Sequence, residues 1–313
     1  MIVGHYLYTY GYRHDEAELC RLEMRSFFGK DTDSNVLISD KGILPNRSPF
    51  IKERLHILFE GGSIEEICRA TSQLTIYEDT FKVICLNHTV LAMEPKMSHQ
   101  ERREVERNIG VTIEAEPDLE HPGTLYGIVR LENRWYFGEL IQGEAVWLKH
   151  QQRPQEYSTA LSTKVARAIV NIAVPQIEGV RVIDPCCGIG TVLIEALSMG
   201  IYILGRDMNW FVTSGSRKNI AHFGYKGEVQ LGKIEEIEGR YDVAIIDMPY
   251  NVFTHSSLES QISIVRSARR IANRAVFVTV EPLDEVITEA DFQIIDRCVI
   301  RKGSFTRQVI ICE

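Results

Sequence analysis

Residues 182–191 read Val182-Ile183-Asp184-Pro185-Cys186-Cys187-Gly188-Ile189-Gly190-Thr191, and the apolar pattern of a helix follows them. Val180–Ile183 is predicted to form a short buried strand, and Thr191–Met199 the helix after it. The two glycines allow close backbone approach, and the start of the helix offers free N–H groups and the positive end of the helix dipole. Asp184 stands at the carboxyl end of the strand, where open α/β sheets bind ligands. This order of features predicts a ligand site.

The kind of ligand follows from the charge of Asp184. A carboxylate there suits a ligand with an ammonium or hydroxyl group and would repel a pyrophosphate. The dinucleotide fingerprint G-x-G-x-x-G is also absent, because position 193 is Leu193. The alternative is a glycine turn that joins a strand to a helix and binds nothing. The strand-end Asp-Pro beside a G-x-G turn favours the ligand site.

Strands that alternate with helices surround this motif. A helical apolar pattern over 161–172 precedes it, and Ile201–Leu204, Tyr241–Ile246 and Ala275–Val280 are predicted strands. The last stretch, residues 292–312, is predicted to form an antiparallel hairpin. The fold class is therefore α/β, with a doubly wound, mainly parallel sheet and an antiparallel C-terminal hairpin.

Two further strand ends carry acidic residues. Asp207 follows the strand 201–204 and lies 23 residues beyond Asp184. That is close to the roughly 20-residue offset at which an acidic side chain meets ribose hydroxyls in nucleoside-binding βαβ units. An Asp after a strand is also a common coincidence. The offset nevertheless predicts a ribose contact.

Ile245-Ile246-Asp247-Met248-Pro249-Tyr250-Asn251 ends the strongest apolar strand. Pro249 favours an extended backbone at Met248, so the Met248 carbonyl and the Asp247 carboxylate become two neighbouring acceptors for an exocyclic amine. Tyr250 offers a ring on which a base can stack. The alternative is a simple turn with a buried tyrosine.

Together these residues resemble the class I S-adenosylmethionine-dependent amino-methyltransferases. The glycine motif is similar to their Asp-Pro-x-Cys-Gly-x-Gly-Thr, and residues 247–250 resemble their (Asp/Asn)-Pro-Pro-Tyr. The resemblance implies S-adenosylmethionine as cofactor and a target nitrogen held in line with its methyl group. The cofactor-binding residues that it implies are Asp184, Pro185, Cys186, Gly188, Gly190, Thr191, Asp207 and Met208. The catalytic residues that it implies are Asp247, Met248, Pro249 and Tyr250.

A closer resemblance is to the THUMP-containing tRNA guanine-10 N2-methyltransferases. Trp135–Arg153 and Tyr157–Ala173 look like the entry to their catalytic domain, and Tyr6–Phe28 looks like their ferredoxin-like segment. The resemblance implies that residues 1–150 form an α+β, ferredoxin-like and THUMP-like RNA-binding region. It implies that residues 151–313 form a Rossmann-like methyltransferase domain acting on an exocyclic base amine, guanine N2 of tRNA.

The sequence departs from the family pattern at two places. Met248 replaces the first proline of the second motif. After the predicted strand Glu228–Leu231, the family has an acidic residue that accepts from the adenine amino group, whereas this chain has Gly232-Lys233. Lysine cannot accept a hydrogen bond. Glu235 and Glu236 are the two candidate substitutes.

Charge alone argues against nucleic acid. The 313 residues carry a net charge of −8. Residues 1–150 hold 17 Lys and Arg against 24 Asp and Glu, a net −7, and the remainder hold 18 against 19, a net −1. Arg266, Arg270 and Arg301 are nevertheless candidate phosphate contacts, in local basic stretches that are more often solvated faces. The helix-spaced arginines 266, 269, 270 and 274 form one such stretch.

The resemblance implies tRNA or another structured RNA as partner, and some relatives need a small activating protein subunit. No run is long and apolar enough for a membrane span, and no secretion signal starts the chain. Seven scattered cysteines without a C-x-x-C pair indicate reduced thiols, no structural metal and a cytoplasmic location. The oligomeric state stays open.

Three alternatives remain from sequence. A DNA or protein amino-methyltransferase would share both motifs, and a catalytically weak RNA-binding relative would keep the fold. Cys186, which follows a proline, is also placed like the nucleophile of cytosine-5 methyltransferases, although in this chain it lies in the predicted cofactor loop.

Overall fold

In the computed structural model, the described residues are 5–76, 80–86, 97–157, 160–249, 257–302 and 305–313. The chain divides into two compact units. Unit 1 comprises Met1–Gly11, Thr32–Asn46 and Phe50–Glu144, and unit 2 comprises Tyr12–Asp31, Arg47–Pro49 and Ala145–Glu313. No described helix is both long and apolar enough to cross a membrane.

Unit 1 is built on one seven-stranded sheet with two helices. Its strands are β1 (Tyr6–Tyr10), β2 (Val36–Ser39), β3 (Ile51–Gly61), β4 (Thr80–Cys85), β5 (Glu116–Pro117), β6 (Thr124–Leu131) and β7 (Arg134–Gln142). Its helices are α2 (Ile64–Thr71) and α3 (His99–Gly110). Helix α1 (Ala17–Phe28) comes earlier in the chain and belongs to unit 2. The strand order is β2-β1-β3-β7-β6-β4-β5.

The order of short apolar runs in residues 1–150 predicts antiparallel sheets, and the sheet of unit 1 is in fact mixed. The pairs from β2 to β6 are antiparallel, but β4 pairs in parallel with both β6 and β5. A parallel neighbour needs a crossover connection, and the helix α3 lies in the long connection between β4 and β5. Phe81, Tyr126 and Phe137 lie in the apolar core of this part of the sheet.

Unit 2 has a second seven-stranded sheet. Its strands are β8 (Val182–Asp184), β9 (Ile203–Asp207), β10 (Glu228–Leu231), β11 (Tyr241–Asp247), β12 (Ala272–Thr279), β13 (Ile294–Lys302) and β14 (Phe305–Cys312). Its helices are α1 (Ala17–Phe28), α4 (Thr163–Ala173), α5 (Thr191–Ser198), α6 (Trp210–His222), α7 (Leu258–Ile271) and α8 (Asp284–Glu289). The strand order is β10-β9-β8-β11-β12-β14-β13.

The predicted fold class is confirmed in unit 2. Strands β10, β9, β8, β11 and β12 are parallel, and β14 and β13 complete the sheet as an antiparallel hairpin. The chain moves outward from β8 to β10 in one direction and from β11 to β12 in the other. In a doubly wound sheet, crossovers that run in opposite directions leave a crevice at the point where the strand order reverses, which here is between β8 and β11. The turn residues Gly303 and Ser304 lie outside the described residues.

Helix α1 is placed differently from the prediction. The sequence assigned it to the N-terminal region 1–150, but it packs within unit 2. Arg25 of α1 forms a salt bridge with Asp296 of β13 at 2.8 Å. Glu23 accepts a hydrogen bond from Asn171 of α4 at 2.7 Å. Spacing along the chain could not reveal this, because both partners lie more than a hundred residues away.

Candidate active site

A cavity of about 410 Å³ opens at the carboxyl ends of the parallel strands of unit 2. It lies where β8, β9 and β11 end and where the chain continues after β10. Of the predicted cofactor and catalytic residues, those that line it are Asp184, Pro185, Cys186, Gly188, Thr191, Asp207, Met208, Asp247, Met248 and Pro249. Tyr250 lies outside the described residues. The two sequence motifs therefore meet in one cavity.

The glycine loop is held by hydrogen bonds to the neighbouring strand end. The backbone N–H of Gly188 donates to the Asp207 carboxylate at 2.9 Å, and the N–H of Asn209 donates to its other oxygen at 2.9 Å. The N–H of Cys187 donates to the carbonyl of Arg206 at 2.9 Å. Asp207 thus faces the cavity and also fixes the loop.

Gly190, the remaining predicted cofactor-binding residue, shapes the turn and is not among the residues that line the cavity. It has φ +83° at the start of α5, and a Cβ there would overlap the Ser216 hydroxyl of α6. Five helices begin with a side chain that accepts an N–H of the first turn: Ser63, Ser98, Ser162, Asn209 and Ser257. Helix α5 has no such side-chain cap, so its first N–H groups stay available to a ligand.

Four carboxylates line the cavity, those of Asp184, Asp207, Glu235 and Asp247. Asp184 is buried and accepts from the N–H of Cys186 at 3.2 Å. Burial raises the pKa of Asp184 well above its usual value, and the neighbouring charges of Asp247 and Asp207 raise it further. A cationic or hydroxyl-bearing ligand would relieve this crowding. The charge pattern fits the ligand class that the sequence predicted.

Asp247 carries an orphaned acceptor. Its Oδ1 atom is buried and has no hydrogen-bond partner among the described residues. Burial raises the pKa of Asp247 to about 7, while the charge of Arg307 acts in the opposite direction. An unmet buried acceptor costs about 1–3 kcal/mol, so this oxygen is suited to a donor supplied by a ligand.

The replacement of proline by Met248 is accommodated by the core. The Met248 N–H donates to the Val278 carbonyl at 2.8 Å, a bond that proline could not make, and its side chain is buried in the apolar cluster of unit 2. This bond continues the pairing of β11 with β12 by one residue. Strand pairing thus holds the turn after Asp247 where the family uses a proline.

The two glutamates that follow β10 have different surroundings. Glu235 lines the cavity, and the Ser263 hydroxyl donates to its carboxylate, which lowers the pKa of Glu235. Glu236 forms a salt bridge with Arg206 at 2.8 Å and accepts from the N–H of Lys233 at 3.2 Å. Lys233 also lines the cavity. Glu235 is the acidic side chain placed for a ligand.

Sequence reasoning missed the residues that brace the loop from behind. Asn219 of α6 is fully buried, donates to the carbonyls of Gln155 and Ile189 at 3.0 Å each, and accepts from the N–H of Gln155 at 2.9 Å. Arg153 donates to the Thr191 hydroxyl at 2.9 Å. No sequence motif marks Asn219, which is one of several polar residues in the stretch 213–219.

The cysteine alternative loses support here. Burial and the nearby Asp184 raise the pKa of the Cys186 thiol well above its usual value, and a nucleophilic cysteine needs a lowered one. All seven cysteines are free thiols. In the described part of the chain, no group of three or more His, Cys, Asp or Glu side chains could hold a metal ion.

One of the three candidate phosphate contacts, Arg270, is engaged by hydrogen bonds within the protein. Arg270 donates to the carbonyls of Ile237 and Glu235 at 2.7 and 2.9 Å, so it braces the loop after β10. Arg274 lies on β12 and not on the helix with Arg266, because α7 ends at Ile271. Arg266 and Arg301 are exposed. Their contact with RNA stays a prediction.

Part of the chain is similar in sequence to known methyltransferases. Residues 150–284 match a family model described as an RMKL-like methyltransferase domain. A tRNA (guanine(10)-N2)-dimethyltransferase of Methanothermobacter thermautotrophicus is 30% identical over 175 residues, which is 52% of this chain and 52% of the relative. One from Methanocaldococcus jannaschii is 26% identical over 220 residues, 64% of this chain and 62% of the relative.

The chain thus spans about half to two thirds of the length of the curated relatives it matches. Among solved structures, TrmN from Thermus thermophilus is similar over 99% of both chains, with 15% identity and a TM-score of 0.49. Residues 150–284, the part of the chain that holds the cavity, therefore match a methyltransferase domain model, in agreement with the two sequence motifs.

Proposed function

We propose that this protein transfers a methyl group from S-adenosylmethionine to an exocyclic amine of an RNA base, guanine N2 of tRNA. The observation that carries the proposal is the buried Asp247 oxygen that has no partner among the described residues, in a cavity that also holds a glycine loop and the start of a helix without a side-chain cap. The relatives named as tRNA and U6 snRNA guanine-N2 methyltransferases support the choice of base.

The residues present fit the cofactor. Gly188, with φ +52° and open space where a Cβ would stand, leaves room for a ligand against the loop. Asp207 would hold ribose hydroxyls, Asp184 would face the methionine ammonium or a hydroxyl, and Glu235 would accept from the adenine amino group. When bound, S-adenosylmethionine supplies an electrophilic methyl group on a sulfonium sulfur.

The chain itself orients the acceptor. The lone pair of an exocyclic guanine amine is delocalised into the ring, so the amine is a poor nucleophile until it is positioned. Asp247 and the Met248 carbonyl would accept its two N–H groups and stabilise the positive charge that develops on the nitrogen. The Asp247 carboxylate would then take the proton that the methylated nitrogen releases. No covalent intermediate with a side chain is needed. This role uses the acceptor that the described residues leave unmet.

The RNA-binding role of the N-terminal region is part of the same proposal. A THUMP-like region within residues 1–150 would deliver tRNA to the catalytic domain 151–313. An activating protein subunit, as some relatives need, would be compatible with it. A cytoplasmic location fits the seven free thiols.

The test measures product identity. The protein is incubated with S-adenosylmethionine and unmodified tRNA, duplex DNA or peptide, and the digested products are analysed by mass spectrometry. N2-methylguanosine from tRNA supports the proposal. Methylated DNA or peptide in its place would establish the rival substrate class, and no binding of S-adenosylmethionine in calorimetry would identify a non-catalytic relative.

A further inference from the structure

A second cavity, of about 230 Å³, lies within unit 1 between strand β4 and helix α3. The residues that line it are Lys82, Val83, Ile84, His99, Arg102, Arg103 and Glu106. Three of these seven side chains are cationic at neutral pH and one is a carboxylate. This concentration of positive charge is unexpected in a region whose formal charge is −7.

The one carboxylate of the cavity is already satisfied. Glu106 accepts from the N–H of Cys85 at 2.9 Å through one oxygen and from Arg103 at 3.1 Å through the other. Lys82 donates to the Leu119 carbonyl at 2.6 Å, which leaves two of its three N–H groups for another acceptor. Positive charge therefore exceeds negative charge in the cavity.

Arg102 lines the cavity and has one unmet donor. Its Nε atom is buried and has no hydrogen-bond partner among the described residues. The Nε and Nη groups of a guanidinium present two parallel donors that match two oxygens of one phosphate. Leaving such a donor buried and unpaired costs free energy that an anionic ligand would recover.

We propose that this cavity binds a phosphate group of the RNA substrate, with Arg102 as its bidentate donor and Lys82 as its second cation. The choice of RNA rests on the proposed function, while the phosphate site rests on the cavity itself. A phosphodiester fits an open cavity with an excess of donors, and it would give the acidic region 1–150 a local point of attachment to nucleic acid.

The test is tRNA affinity as a function of salt for the full chain, in wild type, Arg102→Ala, Lys82→Ala and the matched control Arg107→Ala. Arg107 is an exposed arginine on the same helix that does not line the cavity. Each lost phosphate contact should lower the magnitude of the slope of log K against log[salt] by about 0.7–0.9. Affinity should fall about tenfold for Arg102→Ala, as expected for a charged hydrogen bond, and less than about twofold for the control.

Equal slopes for Arg102→Ala and Arg107→Ala would overturn the contact between this cavity and RNA. Melting temperature checks folding, and Arg102→Lys, which keeps the charge but loses the planar fork, should give intermediate affinity. If inorganic phosphate raises the melting temperature of wild type but not of Arg102→Ala, while the tRNA slopes are equal, the cavity takes a free anion and the RNA assignment is wrong.

The same samples separate this proposal from the proposed function. S-adenosylmethionine affinity should be unchanged in Arg102→Ala, because the cofactor cavity belongs to unit 2. Methyl transfer to tRNA by wild type with no effect of Arg102→Ala on binding would reject the cavity alone. A selective Arg102 effect on RNA binding without any methyl transfer would reject the catalytic proposal alone.

Discussion

The Asp207 carboxylate accepts the backbone N–H of Gly188 at 2.9 Å, so the residue predicted to bind ribose also fixes the glycine loop that follows the neighbouring strand β8. Its second oxygen accepts from Asn209 at 2.9 Å. Each oxygen therefore already accepts one backbone N–H and keeps a second lone pair for a ligand hydroxyl. These two hydrogen bonds decide how substitutions of Asp207 should behave.

We expect Asp207→Asn to weaken S-adenosylmethionine binding nearly as much as Asp207→Ala. An amide has only one acceptor oxygen, so its NH₂ group would face one of the two backbone donors. A lost hydrogen bond to a charged group costs about 1.5–3 kcal/mol, or roughly tenfold or more in affinity. Calorimetry on both variants is the measurement. Wild-type affinity in Asp207→Asn would show that the loop does not depend on the carboxylate.

Asp247→Ala should lower the single-turnover rate of methyl transfer by about 10²–10³-fold with cofactor affinity nearly unchanged, because a transition-state contact is removed. Asp247→Asn should be milder, since its amide oxygen still accepts. Asp242→Ala is the matched control: it lies on the same strand, and its carboxylate accepts from the N–H of Arg181 at 2.7 Å. That control should change stability and leave the rate alone. Equal rates in Asp247→Ala and Asp242→Ala would remove Asp247 from the catalytic site.

The transfer rate should rise with pH through a midpoint near 7. Burial raises the pKa of Asp247 to about 7, so the carboxyl is protonated below that pH and ionised above it. The ionised form accepts through both oxygens, whereas the protonated form carries an O–H donor. Rates between pH 5.5 and 8.5 test this in wild type and Asp247→Asn. The variant should lack the rise, and a wild-type rate that falls over this range would contradict the assignment.

Gly190→Ala and Gly179→Ala separate two costs. Both glycines have positive φ, +83° and +73°, so each substitution carries the left-handed backbone penalty of about 1–2 kcal/mol. Only at Gly190 would the new Cβ overlap Ser216, while at Gly179 nothing lies within 4 Å. We expect a larger loss of unfolding free energy, together with weaker cofactor binding, for Gly190→Ala. Chemical denaturation and calorimetry measure both, and equal effects would mean that the contact with Ser216 is unimportant.

Glu235→Ala should weaken S-adenosylmethionine binding about tenfold, as expected for a lost charged hydrogen bond. Glu236→Ala should change it little, because Glu236 is engaged by Arg206. The comparison is well matched, since the two glutamates are neighbours in one short helical turn, Ile234–Glu236. The opposite ranking in calorimetry would assign the adenine amino group to Glu236 and not to the cavity-lining side chain.

The sequence by itself determined the fold of unit 2 and the motifs at its strand ends. The apolar periods of strands and helices are local features of the sequence. The predicted ends of β8, α5 and β11 therefore lie within two residues of the observed ends. The carboxyl ends of parallel strands share one edge of a sheet, so strand order alone predicts that Asp184, Asp207 and Asp247 lie close together. Element order was enough for this step.

Only the tertiary structure decided which side chains take part. Glu235 lines the cavity and Glu236 does not. Gly190 shapes the turn before α5, and Asn219 holds the glycine loop through a hydrogen bond to the Ile189 carbonyl. Helix α1 also belongs to unit 2. Its residues Glu23 and Arg25 contact Asn171 and Asp296, which lie 148 and 271 residues further along the chain. Hydrogen bonds and close packing act over a few ångströms in space, whatever the separation in sequence, so these choices were settled only when the chain folded.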